Sequence, residues 1–362
     1  MIRKVANPPN PFQADLCEYF DGQAPAAKLE VYSDASRSIL SQIKSPDLGY
    51  RWSVNPYRGC QHGCAYCYAR PSHEYLGFGA GSDFETKVVV KTRAPELLRQ
   101  AFLKRAWKGE EITFSGDTDC YQPLEATYEL TRKCLEVCLE FGNPVGVVTK
   151  SSLILRDFDL LLKLHRRTRL WLLFSIPFLD STTARRFEPL AAGIEKRFEL
   201  MKIFSQAGIE TGVNVSPVIP GLNDSDLSGV LERAKACGAQ NARISLLRLP
   251  TRVKDVFLRH LREQFPLAYQ KIVGRIKEAR GGVLYQSEFG KRMRGQGPYW
   301  EQIEQLYHVT CKRLGLNRCH AQNAPVSGFM RPGQQREFSF SCPGGVFGVD
   351  KSFQSGENLN SA

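Results

Sequence analysis

From Arg51 onward, short apolar runs alternate with segments in which apolar residues recur every three or four positions. The runs Trp52–Val54, Ile112–Phe114, Val145–Thr149, Leu170–Ile176, Thr211–Val215 and Ala242–Leu246 are rich in Val, Ile, Leu and Phe and predict strands covered on both faces. Helical spacing fills the gaps. Pro95–Ala106 carries Leu97, Leu98, Ala101 and Phe102 on one face, and Ile194–Ala207 carries Ile194, Phe198, Met201 and Phe204. Asp224–Ala236 carries Leu227, Val230, Leu231 and Ala234, with Asp224 as its expected N-cap and Gly238 as its stop. Two further helices are expected after Val253, broken at Pro266, and another at Tyr299–Leu314 with Trp300, Ile303, Leu306 and Tyr307 inward. Six strands alternating with helices imply an α/β fold with a parallel sheet and right-handed crossovers, either an open doubly wound sheet or a barrel.

The two ends read differently. Residues 1–50 contain scattered prolines and one short helical candidate, Ser33–Ile43, and form an N-terminal extension to a body at 51–290. Residues 291–362 hold the last helix and, from Gly315, an irregular C-terminal tail rich in Gly, Pro, Ser, Asn and Gln. The longest nearly apolar stretch, Leu170–Leu179, is about half of what a membrane-spanning helix needs, so no membrane association is expected. The start Met1-Ile2-Arg3-Lys4 leads into prolines rather than an apolar segment, which predicts a cytoplasmic protein.

Composition, with 42% apolar and 24% charged among 362 residues, excludes disorder, collagen and coiled coil. A net charge of +12 leans towards a polyanionic partner, although the basic residues are spread along the chain. Cysteine changes the picture more. A cytosolic chain has no need of disulfide staples, so clustered cysteines point to metal binding. Cys60, Cys64 and Cys67 stand at C-x3-C-x2-C just after the first strand, in a loop whose glycines and proline suit a tight turn. Three soft thiolates without a fourth fit an iron-sulfur cluster with one iron open; with His62 as fourth ligand they would instead make a structural zinc site.

The C-x3-C-x-aromatic-C pattern, with Tyr66 before the third cysteine, resembles the signature of the radical S-adenosylmethionine (radical SAM) superfamily. Together with Ser115-Gly116-Asp117-Thr118-Asp119-Cys120-Tyr121-Gln122 and Phe187-Glu188-Pro189, it resembles the branch that includes spore photoproduct lyase and its largely uncharacterised relatives. This resemblance implies a partial (β/α)6 TIM-like barrel with a [4Fe-4S] cluster on Cys60, Cys64 and Cys67. S-adenosylmethionine (AdoMet) would complete the site at the fourth iron. A flavodoxin- or ferredoxin-like donor would supply the electron that cleaves AdoMet to methionine and a 5′-deoxyadenosyl radical, which abstracts hydrogen from substrate. The rival is a non-catalytic zinc-stabilised nucleic-acid-binding module.

Other AdoMet contacts follow from the resemblance by position. Ser115, Gly116 and Asp117 end the second strand, where the superfamily has a Gly-Gly-Glu-like segment that meets the methionine amino group. Lys150 and Ser175 end the third and fourth strands, and Asn214 lies on the fifth beside the expected adenosyl portion. Cys120 and Tyr121 are candidate hydrogen-atom donors, and Asp119 and Gln122 candidate substrate contacts. Spore photoproduct lyase has its donating cysteine in a Ser-Cys-Thr-Ser-Asp-like run, where this chain has Gly116, so repair of that lesion is not expected. DNA, RNA, or a protein or small molecule remain as substrate classes. Cys134 and Cys138, one helical turn apart, read as core packing, as do Cys17 and Cys237. A second metal on Cys311, Cys319, His320 and Cys342 lacks ligand spacing. Arg248, Arg252, Lys254, Arg259 and Arg262 could line a phosphate-binding rim or simply form a solvated face.

Overall fold

The computed structural model describes residues 28–318 and 328–333, so Cys17, Cys319, His320 and Cys342 lie outside the described residues. Among the described residues there are ten strands: β1 (Glu30–Ser33), β2 (Leu40–Gln42), β3 (Trp52–Val54), β4 (Tyr57–Arg58), β5 (Lys87–Val90), β6 (Ile112–Phe114), β7 (Val145–Thr149), β8 (Leu170–Ser175), β9 (Glu210–Val218) and β10 (Asn241–Leu246). The main sheet runs β2-β3-β6-β7-β8-β9-β10, and its last six strands are mutually parallel in chain order. These six are the strands expected from the apolar runs. Helices Ala94–Leu103, Leu130–Phe141, Phe158–Arg167, Ile194–Gln206 and Leu227–Ala236 return the chain between them. The architecture is therefore the mixed α/β fold of TIM-like partial barrels, with β2 and β10 as the sheet edges. Met1–Arg331 form one compact unit and Pro332–Ala362 a second, of which only Pro332 and Gly333 are described.

Every residue of β8 is buried, as a strand sandwiched between helices and the barrel interior requires. Its Trp171 lies opposite Gly146 of β7, and a Cβ at position 146 would overlap the indole ring. The glycine is thus a space requirement. Cys134 and Cys138 are fully buried with Leu135 and Phe141 on the inner face of Leu130–Phe141, in the same core as Val145 and Val147. Cys311 is also buried there.

Three local expectations change. Ser33–Ile43 is not a helix: its end becomes β2, which pairs antiparallel with β3 (Leu40↔Val54, Gln42↔Trp52), while Glu30–Ser33 pairs parallel with β5 in a small sheet β1-β5-β4. The segment has no 3.6-residue apolar face to bury, whereas β3 offers an open edge of backbone donors and acceptors. Asp224 does not cap the helix Leu227–Ala236; it lies in a 3-10 turn and accepts from the Gly221 N–H at 2.8 Å. Leu306 is 41% exposed, because the helix Pro298–Leu314 turns only Trp300, Ile303, Tyr307, Thr310 and Cys311 fully inward.

The Gly146–Trp171 pair gives a direct test of the barrel packing. Gly146→Ala is expected to destabilise the protein by about 1–3 kcal/mol through overpacking, read as a lower urea midpoint with unchanged slope. A variant as stable as the wild type would mean that β7 and β8 do not meet in this register.

Candidate active site

The cysteine loop has almost no regular structure of its own, so its backbone groups are satisfied from outside. Gly59 and Gly63 take φ of 79° and 65°, and a Cβ at 59 would come 2.8 Å from His73 and 2.9 Å from the Phe84 carbonyl. The Cys60 N–H donates to Phe84 O (2.8 Å) and the Ala65 N–H to Phe187 O (2.9 Å). Arg70, fully buried, donates twice to Cys64 O, at 3.1 and 2.9 Å, and pairs with Glu85. Gln122 donates to Gly59 O at 3.0 Å and accepts from the Gln61 N–H at 3.1 Å. It is buried and committed to the loop, which corrects its expected role in substrate contact.

All three thiols line one cavity of about 900 Å³. Cys60 and Cys64 are buried and Cys67 half-buried. Burial pushes all three thiols up, Cys64 to about 12, so a cationic group is needed to hold them as thiolates. His62 lines the same cavity, and its Nδ1 lies 3.4 Å from the Asp119 carboxylate. Among the described residues no three His, Cys, Asp or Glu side chains gather on a point suited to a single ion. Three thiols around a shared cavity, with no side chains gathered to hold a single ion among the described residues, fit a cluster with an open iron better than a four-ligand zinc.

The other carried-over positions line the same cavity: Tyr66, Ser115, Gly116, Asp117, Lys150, Ser175 and Asn214. Ser115 takes φ 72°, unusual for a residue with a Cβ, and its Oγ accepts from the Cys120 N–H at 2.9 Å. Asp117 accepts from Ser72 Oγ at 3.4 Å, and burial raises its carboxyl. Burial alone would lower Lys150, but Cys64 and Glu188 beside it reverse the direction and keep it an ammonium. Asn214 donates to Ser175 Oγ at 3.4 Å and accepts from Ser216 Oγ at 2.8 Å. Asp119 also lines the cavity; burial would raise its carboxyl, but His62 and the N–H groups of Lys150 and Tyr121 hold it at about 2.

Two expected donors fall outside. Cys120 and Tyr121 are fully buried and do not line the cavity, and the Tyr121 hydroxyl donates to Asp157 at 3.1 Å. The chain turns inward after Asp119, so both side chains pack in the core. Of the expected basic rim, Arg248 lines the cavity whereas Arg252, Lys254, Arg259 and Arg262 do not. Arg252 faces Glu74 (3.9 Å) and Asp255 (3.6 Å) instead.

The missed element is a buried anchor. The Tyr66 hydroxyl donates to Glu188, whose other oxygen pairs with Arg197. Arg197 also donates to Ala192 O and Ser175 O, both at 2.8 Å, which ties the cysteine loop to the end of β8. The available signal was a lone arginine inside the apolar stripe of Ile194–Gln206, because a cation on a buried face needs a partner.

A parallel α/β partial barrel with three thiols and a polar cavity at its carboxyl edge defines a cofactor-dependent enzyme class. The radical SAM superfamily model matches residues 54–234, and the chain belongs to that superfamily. It is a radical SAM enzyme, of a family that uses a [4Fe-4S] cluster and AdoMet. An uncharacterised protein of Mycobacterium tuberculosis is 33% identical over 245 residues, covering 67% of this chain and 71% of its own. The radical SAM Nα-GlyT isomerase of Pseudomonas phage M6 is 23% identical over 288 residues, covering 79% of this chain and 56% of its own. Spore photoproduct lyase complexed with dinucleoside spore photoproduct shares the fold, with a TM-score of 0.56 at 14% identity over 79% of this chain and 80% of that one. Among the described residues no helix is long and apolar enough to cross a membrane.

Removing one partner of a buried ion pair leaves an uncompensated charge, at a cost of about 3–5 kcal/mol. Glu188→Ala is therefore expected to lower the melting temperature and to reduce iron retained per chain after anaerobic reconstitution, with Glu188→Gln intermediate. Full iron loading and wild-type melting in both variants would show that the loop does not depend on this anchor.

Proposed function

We propose that Cys60, Cys64 and Cys67 hold the cluster and that the chain acts on a nucleic-acid substrate. The observation that carries the reading is the opening of three thiols onto the same cavity as the strand-end polar residues. When bound, the cluster supplies the electron that cleaves AdoMet reductively, and this is the family's source of hydrogen-abstracting power. The chain's own part is to bind, orient and shield. Tyr66, fixed by Glu188, braces the cysteine loop. Ser115, Gly116 and Asp117 offer a hydroxyl, a backbone edge and a carboxylate for an ammonium, while Lys150, Ser175 and Asn214 offer donors for a carboxylate and a ribose. A flavodoxin- or ferredoxin-like protein is the expected reductant.

Nucleic acid is supported by the net charge of +12 and by a cavity lined by six basic side chains, Lys44, Lys150, Arg243, Arg248, Arg292 and Arg294. The nucleoside substrate of the structurally similar lyase is in keeping with it. Repair of spore photoproduct is not part of the reading. Gly116 has no side-chain hydrogen to donate, and a Cβ there would lie 2.8 Å from Ser53 Cβ, so this position has no room for a thiol without displacing β3.

Anaerobic reconstitution with iron and sulfide analysis, followed by electron paramagnetic resonance, is expected to give a cluster and 5′-deoxyadenosine on reduction with AdoMet. Alanine at any one of Cys60, Cys64 or Cys67 should abolish both, and alanine at Cys134 or Cys138 should leave both in place. Stoichiometric zinc without a cluster would overturn the assignment of these cysteines. Binding to single- and double-stranded DNA and RNA is expected to fall steeply with salt, with no turnover of dinucleoside spore photoproduct. Absence of binding at low salt would remove nucleic acid as the substrate class.

A further inference from the structure

Several buried guanidiniums among the described residues are supplied with carboxylate or carbonyl acceptors. Arg70 and Arg197 each have a carboxylate and backbone carbonyls. Arg280, fully buried, donates to the carbonyls of Leu247, Lys291, Arg292 and Arg294. Arg292 on the cavity wall is clasped by Asp47 at 2.7 Å. Arg248 differs: no carboxylate or carbonyl meets its guanidinium among the described residues, and its Nε, like that of Arg280, is buried without a hydrogen-bond partner. Its guanidinium lies over the Tyr68 ring, 4.7 Å from the centroid, and is in no ion pair among the described residues.

Arg243, on β10, is the second cationic group left over. It points into the same cavity, approaches Gly49 and stacks 5.8 Å from the Trp171 ring, and no carboxylate meets it among the described residues. Tyr50 joins the two. It lines the same cavity as both guanidiniums, and although burial raises its hydroxyl, Arg243 and Arg248 both pull it down. Two guanidiniums without carboxylate partners, Arg243 exposed and Arg248 half-buried, and a half-buried hydroxyl line one cavity and present donors to an anion. Tyr68, 41% exposed and carrying Arg248 on its face, offers a stacking surface beside them.

We propose that Arg243, Arg248 and Tyr50 form a phosphate-binding subsite within the cavity, which takes a backbone phosphate of a single-stranded nucleic-acid substrate while Tyr68 stacks an adjoining base. The proposal rests on the nucleic-acid reading above and adds to it a defined contact. AdoMet carries a single anionic group, its carboxylate, for which Lys150, Ser175 and Asn214 are the proposed partners, so this corner is assigned to substrate.

The test uses the full reconstituted protein, a fluorescein-labelled single-stranded oligonucleotide followed by anisotropy across a salt series, and AdoMet binding by calorimetry. Arg248→Gln and Arg243→Gln are each expected to weaken oligonucleotide binding about tenfold, the loss of one charged hydrogen bond. Each should also lower the slope of log affinity against log salt by about 0.7, the signature of one lost phosphate contact on a single strand. Arg248→Lys should keep the slope, and AdoMet affinity should be unchanged in all three. Tight binding by both glutamine variants with the wild-type slope overturns the subsite while leaving the nucleic-acid reading standing. A parallel loss of AdoMet affinity overturns it as well, because the corner would then hold the cofactor's carboxylate. If wild-type protein binds no oligonucleotide at low salt, the nucleic-acid reading falls and the subsite with it.

Discussion

Holding three thiols at fixed positions beside a desolvated cavity is the constraint on which the rest of this structure depends. The irregular loop 59–69 cannot satisfy its own backbone, and each unsatisfied buried group would cost about 1–3 kcal/mol. The solution is to borrow partners from four separate parts of the chain: Phe84 O, Phe187 O, the Arg70 guanidinium and the Gln122 amide. The crossover between β3 and β6 is long for this reason, since it carries the loop, strands β4 and β5 of the small sheet and the Arg70–Glu85 pair before the helix Ala94–Leu103 begins. The barrel positions the loop, and the loop's needs shape the barrel's first crossover.

Around the thiols the charges are tightly paired; elsewhere on the cavity wall Arg292 is paired with Asp47, but Arg243 and Arg248 have no carboxylate among the described residues. Asp119 is surrounded by His62, Thr149 and two backbone N–H groups, and Glu188 by Tyr66 and Arg197. Such closed networks fix geometry, because each member that moves leaves another buried and unpaired. Arg243 and Arg248 are open by contrast, and an unfilled donor on a cavity wall is available to a ligand. The division matches an enzyme in which cofactor geometry is preset and substrate completes the remaining polar contacts.

The strands and most helices were readable because buried parallel strands and amphipathic helices impose apolar runs and 3.6-residue spacing directly on sequence. The cysteine loop was readable because metal ligands need particular residue types close together in the chain. The failures share a different cause. Ser33–Ile43 became partly strand through pairing with an edge that local sequence does not reveal. Cys120 and Tyr121 looked accessible because they follow a strand end, yet the turn at Asp119 sends them into the core. Glu188 was noticed only as part of Phe187-Glu188-Pro189, and its tie to Tyr66, 122 residues away in the chain, carries no local signature.

The sequence alone therefore determined the superfamily, the six strands and the cysteine motif, because each rests on residue type and spacing within a short segment, whereas the order of the strands in the sheet came from the tertiary structure. Only the tertiary structure decided which polar residues share a cavity, that His62 meets Asp119, and that Ser53 closes the space above Gly116. It also decided which arginines are spent on carboxylates and carbonyls and which are left open. Those facts are set by the meeting of segments distant in the chain, where direction and distance matter and residue type does not suffice.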